Sequence, residues 1–208
     1  MNGMDFMIRI IIAILLLSSC GNLPIAYLQN FSSVNNVVFG FPEYEITQEI
    51  FDEFENSFLK IRFGRGPHAI LILAYVDNDI YEWVGADDVS IFTKNGRIIK
   101  TSGLVHNLEI IKPLEKLYTS NEAYESLNLL NPDLFSATLK HSISIDEKKF
   151  TKLGNTINVN RIKDNITLDI IGWQKQDIYY QNIDTQQIEA IEQNIHPELP
   201  VVKVEYYL

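Results

Sequence analysis

The chain has a single cysteine, Cys20, in 208 residues. That rules out an intrachain disulfide, so the core must hold without covalent staples. Its four histidines, at 68, 106, 141 and 196, stand far apart, with no His-x-x-x-His pair and no second thiol. The spacing that zinc sites use is therefore missing, and no metal is expected. There is no Gly-x-Ser-x-Gly elbow to present a serine nucleophile. Asp77-x-Asp79 begins like a calcium loop, but Tyr81 stands where the third oxygen ligand belongs and no glycine follows. Basic charge is scarce as well: 17 Lys and Arg face 27 Asp and Glu, for a net charge of −10. The bases are scattered, whereas nucleic-acid binding draws its affinity from clustered Lys and Arg, so nucleic acid is not an expected partner. The apolar run Ile10 to Leu17 is far shorter than the roughly 20 residues a helix needs to span a bilayer.

That run is nonetheless informative. Arg9 precedes it and Ser18, Ser19 and Cys20 end it, which is the layout of a secretory signal: a base, a short apolar segment, then small residues at a cleavage point. Asp5 offsets Arg9, and Met1, Met4 and Met7 all stand as candidate starts. Leu17-Ser18-Ser19-Cys20 resembles the bacterial lipobox, whose cysteine receives a diacylglycerol thioether before cleavage. The resemblance implies that Cys20 carries diacylglycerol and an N-acyl chain, with no other cofactor. A buried thiol in a core helix is the plainer alternative, but Gly21 and Pro24 break any continuing helix. Stable anchoring takes more than one acyl chain, and an acidic body gains no help from anionic lipid. Gly21 and Asn22 follow the cysteine with no Asp at the position that retains lipoproteins in the inner membrane. The expected location is therefore the periplasmic face of the outer membrane.

Removing residues 1–19 takes one acid, Asp5, and one base, Arg9, so the mature chain keeps the whole charge of −10. Residues 20–41, rich in Asn, Ser and Gly, read as the acylated N-terminus and a flexible tether. Residues 42–208 read as a single β-rich domain, long enough to bury a real core. From Ile46 to Arg62, the apolar set Ile46, Ile50, Phe54, Phe58 and Ile61 recurs every three or four residues and predicts one amphipathic helix. After Gly66-Pro67 the period changes. "HAILILAYV" (68–76) and "IYEWVGA" (80–86) flank a turn at Asp77-Asn78-Asp79, and Asn95-Gly96 sits between two strand-like runs as a type I′ turn. Further strands are predicted at 135–145, 155–162, 165–173, 176–183, 186–195 and 201–208, with a short helix at 121–129. Hairpins at short spacing, with no alternating helices, predict a mainly β fold. It is a curved or barrel-like antiparallel sheet of about nine strands with the N-terminal helix packed on it.

Between Gly66 and Leu104 stand Gly66 and Ala69, then Trp83, Ala86 and Asp87, then Asn95-Gly96-Arg97, Lys100-Thr101 and Gly103-Leu104. In these positions the stretch resembles the YjbF/GfcB family of outer-membrane lipoproteins, encoded with exopolysaccharide and group 4 capsule export genes. Asp88 stands where that family usually has Gly. At the C-terminal end, Gln193, Pro197 and Pro200 match the family's closing hairpin, whose usual Trp is Tyr here; roughly 105–165 does not align. The resemblance implies a non-enzymatic accessory to export or assembly of capsule or exopolysaccharide. Its partners would be an outer-membrane barrel or polysaccharide-export protein, or an acidic polysaccharide. The rival class is a periplasmic carrier or chaperone whose sheet lines a cavity for lipid or a hydrophobic ligand.

Four residues stand out as candidate contacts. Trp83 on a strand serves either as a core anchor or as a sugar platform. Asp87 suits the corner between two hairpins, where its carboxylate would take nearby N–H groups or Arg97. Arg97 and Lys100, two bases beside a tight turn, either meet carboxylates of a glycan or of a partner, or form ordinary salt bridges. Glu82 with Asp87 or Asp88 makes a glycosidase pair only in the weak sense that any acidic chain offers paired carboxylates.

Overall fold

The structure, a computed structural model, describes residues 41–86, 88–114 and 122–208. The signal segment, Cys20, the tether before residue 41, and Asp87 lie outside the described residues. Twelve strands form an antiparallel meander that closes on itself: β1 (Phe58–Phe63), β2 (His68–Asp77), β3 (Ile80–Val84), β4 (Ser90–Lys94), β5 (Arg97–Ser102), β6 (Asn107–Ile110), β7 (Glu122–Leu130), β8 (Leu134–Lys152), β9 (Asn155–Leu168), β10 (Trp173–Asn182), β11 (Ile188–Gln193) and β12 (Val202–Tyr207). Each strand pairs with the next, and β1 pairs with both β2 and β12 to close the barrel. Closure removes the open edges that so wide a sheet would otherwise present.

The fold class is as the sequence predicts, but the strand count and the helix are corrected. The expected helix over 46–62 shrinks to α1 (Gln48–Asp52), capped by Thr47, whose hydroxyl accepts from the Ile50 N–H. Phe58–Phe63 is a strand instead. Leu59 and Ile61 face the barrel interior, while Phe58, Lys60 and Arg62 face outward, Phe58 under Phe51 of α1 and Phe54 beyond it, and Lys60 and Arg62 under the segment that precedes α1. There Lys60 donates to the Tyr44 carbonyl at 3.0 Å, Arg62 pairs with Glu43, and Ile46, Phe58 and Tyr207 form a small outer cluster. A strand covered on both faces has apolar residues at intervals that mimic a helix, and two-sided pairing decides for the strand. The predicted helix at 121–129 is likewise strand β7, and β6 has no counterpart among the predicted strands. The candidates 155–162 and 165–173 merge largely into β9.

The interior is filled with Ile, Leu and Val from all around the wall. The outer surface carries cross-strand ion pairs such as Lys100 with Glu109 at 2.8 Å and Lys203 with Glu192 at 3.4 Å. An apolar inside and a charged outside reverse the pattern of a membrane-spanning barrel. Among the described residues no helix is long and apolar enough to cross a membrane. The described chain enters at Phe41, whose N–H bonds the Arg65 carbonyl in the β1–β2 turn.

Candidate functional site

Hairpin β4–β5 shapes the interior. The register between its strands shifts after Phe92, so that Phe92 faces Lys100, Thr93 faces Ile98, and Ile99 is the extra residue between them. This bulge turns the hairpin inward. Ile98 thereby presents its backbone to Gln193 on β11, on the opposite side of the ring. The Gln193 side-chain amide donates to the Ile98 carbonyl at 2.9 Å and its carbonyl accepts from the Ile98 N–H at 2.9 Å. One glutamine thus satisfies both polar groups of a buried residue, as a neighbouring strand would. Gly96 at the hairpin tip has φ +69, and a Cβ placed there would lie 2.3 Å from the Cβ of Ile188. The Gly96 carbonyl accepts from the Tyr206 hydroxyl at 3.1 Å. Glycine is required by conformation and by proximity together.

A row of buried charge runs beside the hairpin. Arg97 Nη2 lies 2.6 Å from Glu125 Oε2, and Glu125 Oε1 accepts from the Leu114 N–H at 2.6 Å. His141 stands between two carboxylates, with Nε2 3.2 Å from Glu125 and Nδ1 2.7 Å from Asp164. Asp177 faces Asp164 across β9 and β10 and takes two hydrogen bonds from Asn194, at 2.8 and 2.9 Å, on Oδ1. Burial favours the neutral form of Glu125, but the His141 hydrogen bond and the Arg97 charge outweigh it and hold the carboxyl at about 2. Burial likewise works against a charged His141, yet its bonds to Asp164 and Glu125 raise its pKa. For Asp177 burial wins over the Asn194 hydrogen bonds and pushes the carboxyl up to about 7. The row therefore sets cations beside carboxylates and keeps Asp177, which also accepts from the Tyr179 hydroxyl at 3.4 Å, protonated below neutral pH, which is how a barrel tolerates these ionisable groups inside. His141 is fully buried, with both nitrogens facing carboxylates.

Above this row, at the end where the β2–β3, β4–β5 and β10–β11 turns gather, opens a cavity of about 570 Å³. Tyr81 and Trp83 line one side, their rings 6.2 Å apart and nearly parallel at 14°, with Tyr206 tilted against Trp83 at 5.8 Å. Trp83 is buried, and its Nε1 donates to the Thr93 hydroxyl at 2.9 Å; the half-buried Tyr81 meets the open space. Gln181, Gln186 and Gln187 line the opposite side, and Arg97 lies at the floor.

The sequence-predicted residues are thus divided. Trp83 and Arg97 meet at this cavity; Arg97 is only 5% exposed and pairs with Glu125, so it stands inside the barrel and not on an outer rim. Lys100 is on the outer surface, paired with Glu109 and 5.9 Å from the Phe92 ring centre. Cys20 and Asp87 fall outside the described residues. Glu125, His141, Asp164 and Asp177 escape sequence reasoning, because single polar residues inside alternating strands carry no local signal of what faces them. The motif residues Thr101 and Gly103 acquire structural roles. The Thr101 hydroxyl accepts from the Leu108 N–H at 3.0 Å, and a Cβ on Gly103 would lie 2.5 Å from the Asp88 carbonyl oxygen.

Among solved structures, the crystal structure of the hypothetical lipoprotein YmcC from Escherichia coli (K12) is similar to this chain. The TM-score is 0.69 at 19% identity, covering 85% of this chain and 94% of that one; this likeness speaks for the fold alone. No curated protein matches the chain. The family model described as "Group 4 capsule polysaccharide lipoprotein gfcB, YjbF" matches residues 31–207, from before the first described strand almost to the C-terminus, and the chain belongs to that family.

Proposed function

We propose that this protein is a non-enzymatic accessory lipoprotein of capsule or exopolysaccharide export. On this reading Cys20 carries its acyl chains and holds it at the periplasmic face of the outer membrane. The barrel mouth is the working end, where a machinery partner or the glycan itself is received. The observation that carries the proposal is a family match spanning the whole barrel, in a barrel with a packed apolar interior that opens into a polar-lined mouth. Lys100 on the outer surface is a second contact for an acidic partner. A lipid carrier fits less well, because β4–β5 and the buried charge row occupy the space that an acyl chain would need.

The experiment is deletion of the gene, followed by complementation and measurement of cell-surface polysaccharide. Loss on deletion, recovery with the wild-type chain, and failure of Cys20→Ser to be cleaved and membrane-bound are the expected results. Unchanged surface polysaccharide after deletion would overturn the accessory role. A processed, membrane-bound Cys20→Ser protein would overturn the anchor.

A further inference from the structure

The cavity at the mouth combines three kinds of group. Tyr81 offers a half-buried ring lying nearly parallel to the Trp83 indole behind it, a fixed apolar platform for a flat or puckered ring. The glutamines opposite are amides with both donor and acceptor atoms and no charge; Gln186 is fastened to the Ile183 carbonyl at 2.7 Å and Gln181 to the Gln186 carbonyl at 3.0 Å. The third is Arg97 at the floor. Its guanidinium is almost wholly buried, yet its Nε–H finds no hydrogen-bond acceptor among the described residues, and a buried donor left unmade is costly. Glu125, 2.6 Å away, cancels its charge, so this part of the lining brings a guanidinium without a net field. Asp79 and Lys94 at the rim are of opposite sign. A ligand matching this set has an apolar ring face, many hydroxyls, and no net charge.

We propose that the cavity is a saccharide subsite that takes one uncharged sugar unit of a chain. The sugar stacks its ring face on Tyr81, exchanges hydroxyl hydrogen bonds with the glutamines opposite, and turns an oxygen toward the Arg97 guanidinium. This rests on the reading of the protein as a capsule accessory and supplies the chemical class of what the mouth receives. The cavity, at about 570 Å³, is of small-ligand size, so the rest of a polymer would run outward across the exposed Asp79 and Gln187. A lipid is disfavoured by the amide side, and an acidic sugar because the charge of Arg97 is already matched by Glu125.

The test uses the full chain purified in detergent, with Trp173→Phe so that Trp83, the remaining tryptophan, reports on the cavity. The probes are oligosaccharides released by partial acid hydrolysis from the source cells' own surface polysaccharide and separated by anion exchange into neutral and acidic pools. The expected result is a saturable change in Trp83 fluorescence with the neutral pool, weakened about tenfold by Tyr81→Ala and less by Gln187→Ala, with each variant still folded by circular dichroism at the temperature of the titration. Saturation by the acidic pool at lower concentration, no response to either pool, or equal binding by Tyr81→Ala would each overturn the proposal. Displacement of the neutral pool by a short-chain phosphatidylglycerol would overturn it in favour of a lipid. Absence of binding, together with loss of surface polysaccharide in the deletion strain, leaves the accessory role standing while the subsite fails. Unchanged polysaccharide in that strain removes the accessory role whatever the cavity binds.

Discussion

Replacing Gly96 by alanine tests whether the β4–β5 tip is packed into the barrel. Two costs add at this position. Holding a non-glycine residue at φ +69 costs about 1 kcal/mol or somewhat more. The new Cβ would also sit 2.3 Å from the Cβ and 2.6 Å from the Cγ1 of Ile188. The Ile188 Cβ is fixed to its backbone, so no rotamer relieves the clash and strand or hairpin must shift, at about 1 to 3 kcal/mol. The expected loss is about 2 to 4 kcal/mol, or roughly 5 to 15 °C in melting temperature for a domain of this size. Gly154 supplies the control: it has φ +75 at the β8–β9 turn, and a Cβ added there would meet no atom of the described residues within 4 Å. Gly154→Ala therefore meets the conformational cost alone, about 1 kcal/mol. Urea unfolding of both variants isolates the crowding as their difference. Equal losses in the two would refute the inward packing of the hairpin and, with it, the shape assigned to the cavity.

Arg97→Ala leaves Glu125 buried without its cation and should cost about 3 to 5 kcal/mol, whereas Lys100→Ala breaks only an exposed pair and should change stability by about 0.5 kcal/mol or less; thermal melts of both compare them directly. Gln193→Ala strands the Ile98 N–H and carbonyl inside the barrel and should cost about 2 kcal/mol or more, read by the urea midpoint. Stability should also fall as pH rises from about 4 to 7. Folded Asp177 keeps its proton to about 7 while the unfolded group releases it near 3.8, so the folded state binds more protons in that window, at a limiting slope of about 1.4 kcal/mol per pH unit. His141, raised above 6.5, adds a loss in the same direction as pH climbs through its folded value. Asp177→Asn mimics the protonated acid and should flatten the profile between pH 4 and 7; an unaltered slope would remove Asp177 as its source.

Local geometry follows from the residue order alone. Asn95-Gly96, with both residues at positive φ, specifies its tight turn, and the apolar, β-branched patterning along 68–76 and 201–208 specifies strands, because these depend only on neighbours in the chain. The motif from Gly66 to Leu104 is likewise legible as a linear pattern, and the family match spans it. Closure of the barrel is not legible in this way. Leu59-Lys60-Ile61-Arg62 alternates as a strand should, but the surrounding Ile46, Ile50, Phe54 and Phe58 fit a helical period equally well. Only the presence of β2 on one side and β12 on the other selects the strand. Lys163-Asp164 falls between the predicted strands 155–162 and 165–173, whereas Asp164 points into the barrel to meet His141 from β8. The strand continues because that buried partner compensates a residue that local propensity would put in a turn. Arg97 shows the same rule: beside a turn in an acidic chain it suggests an exposed base, but it lies on the same strand face as the buried Ile99 and Thr101 and meets Glu125 inside the barrel. Which polar residues face one another depends on register and curvature across strands distant in sequence, and these arise only when the wall closes.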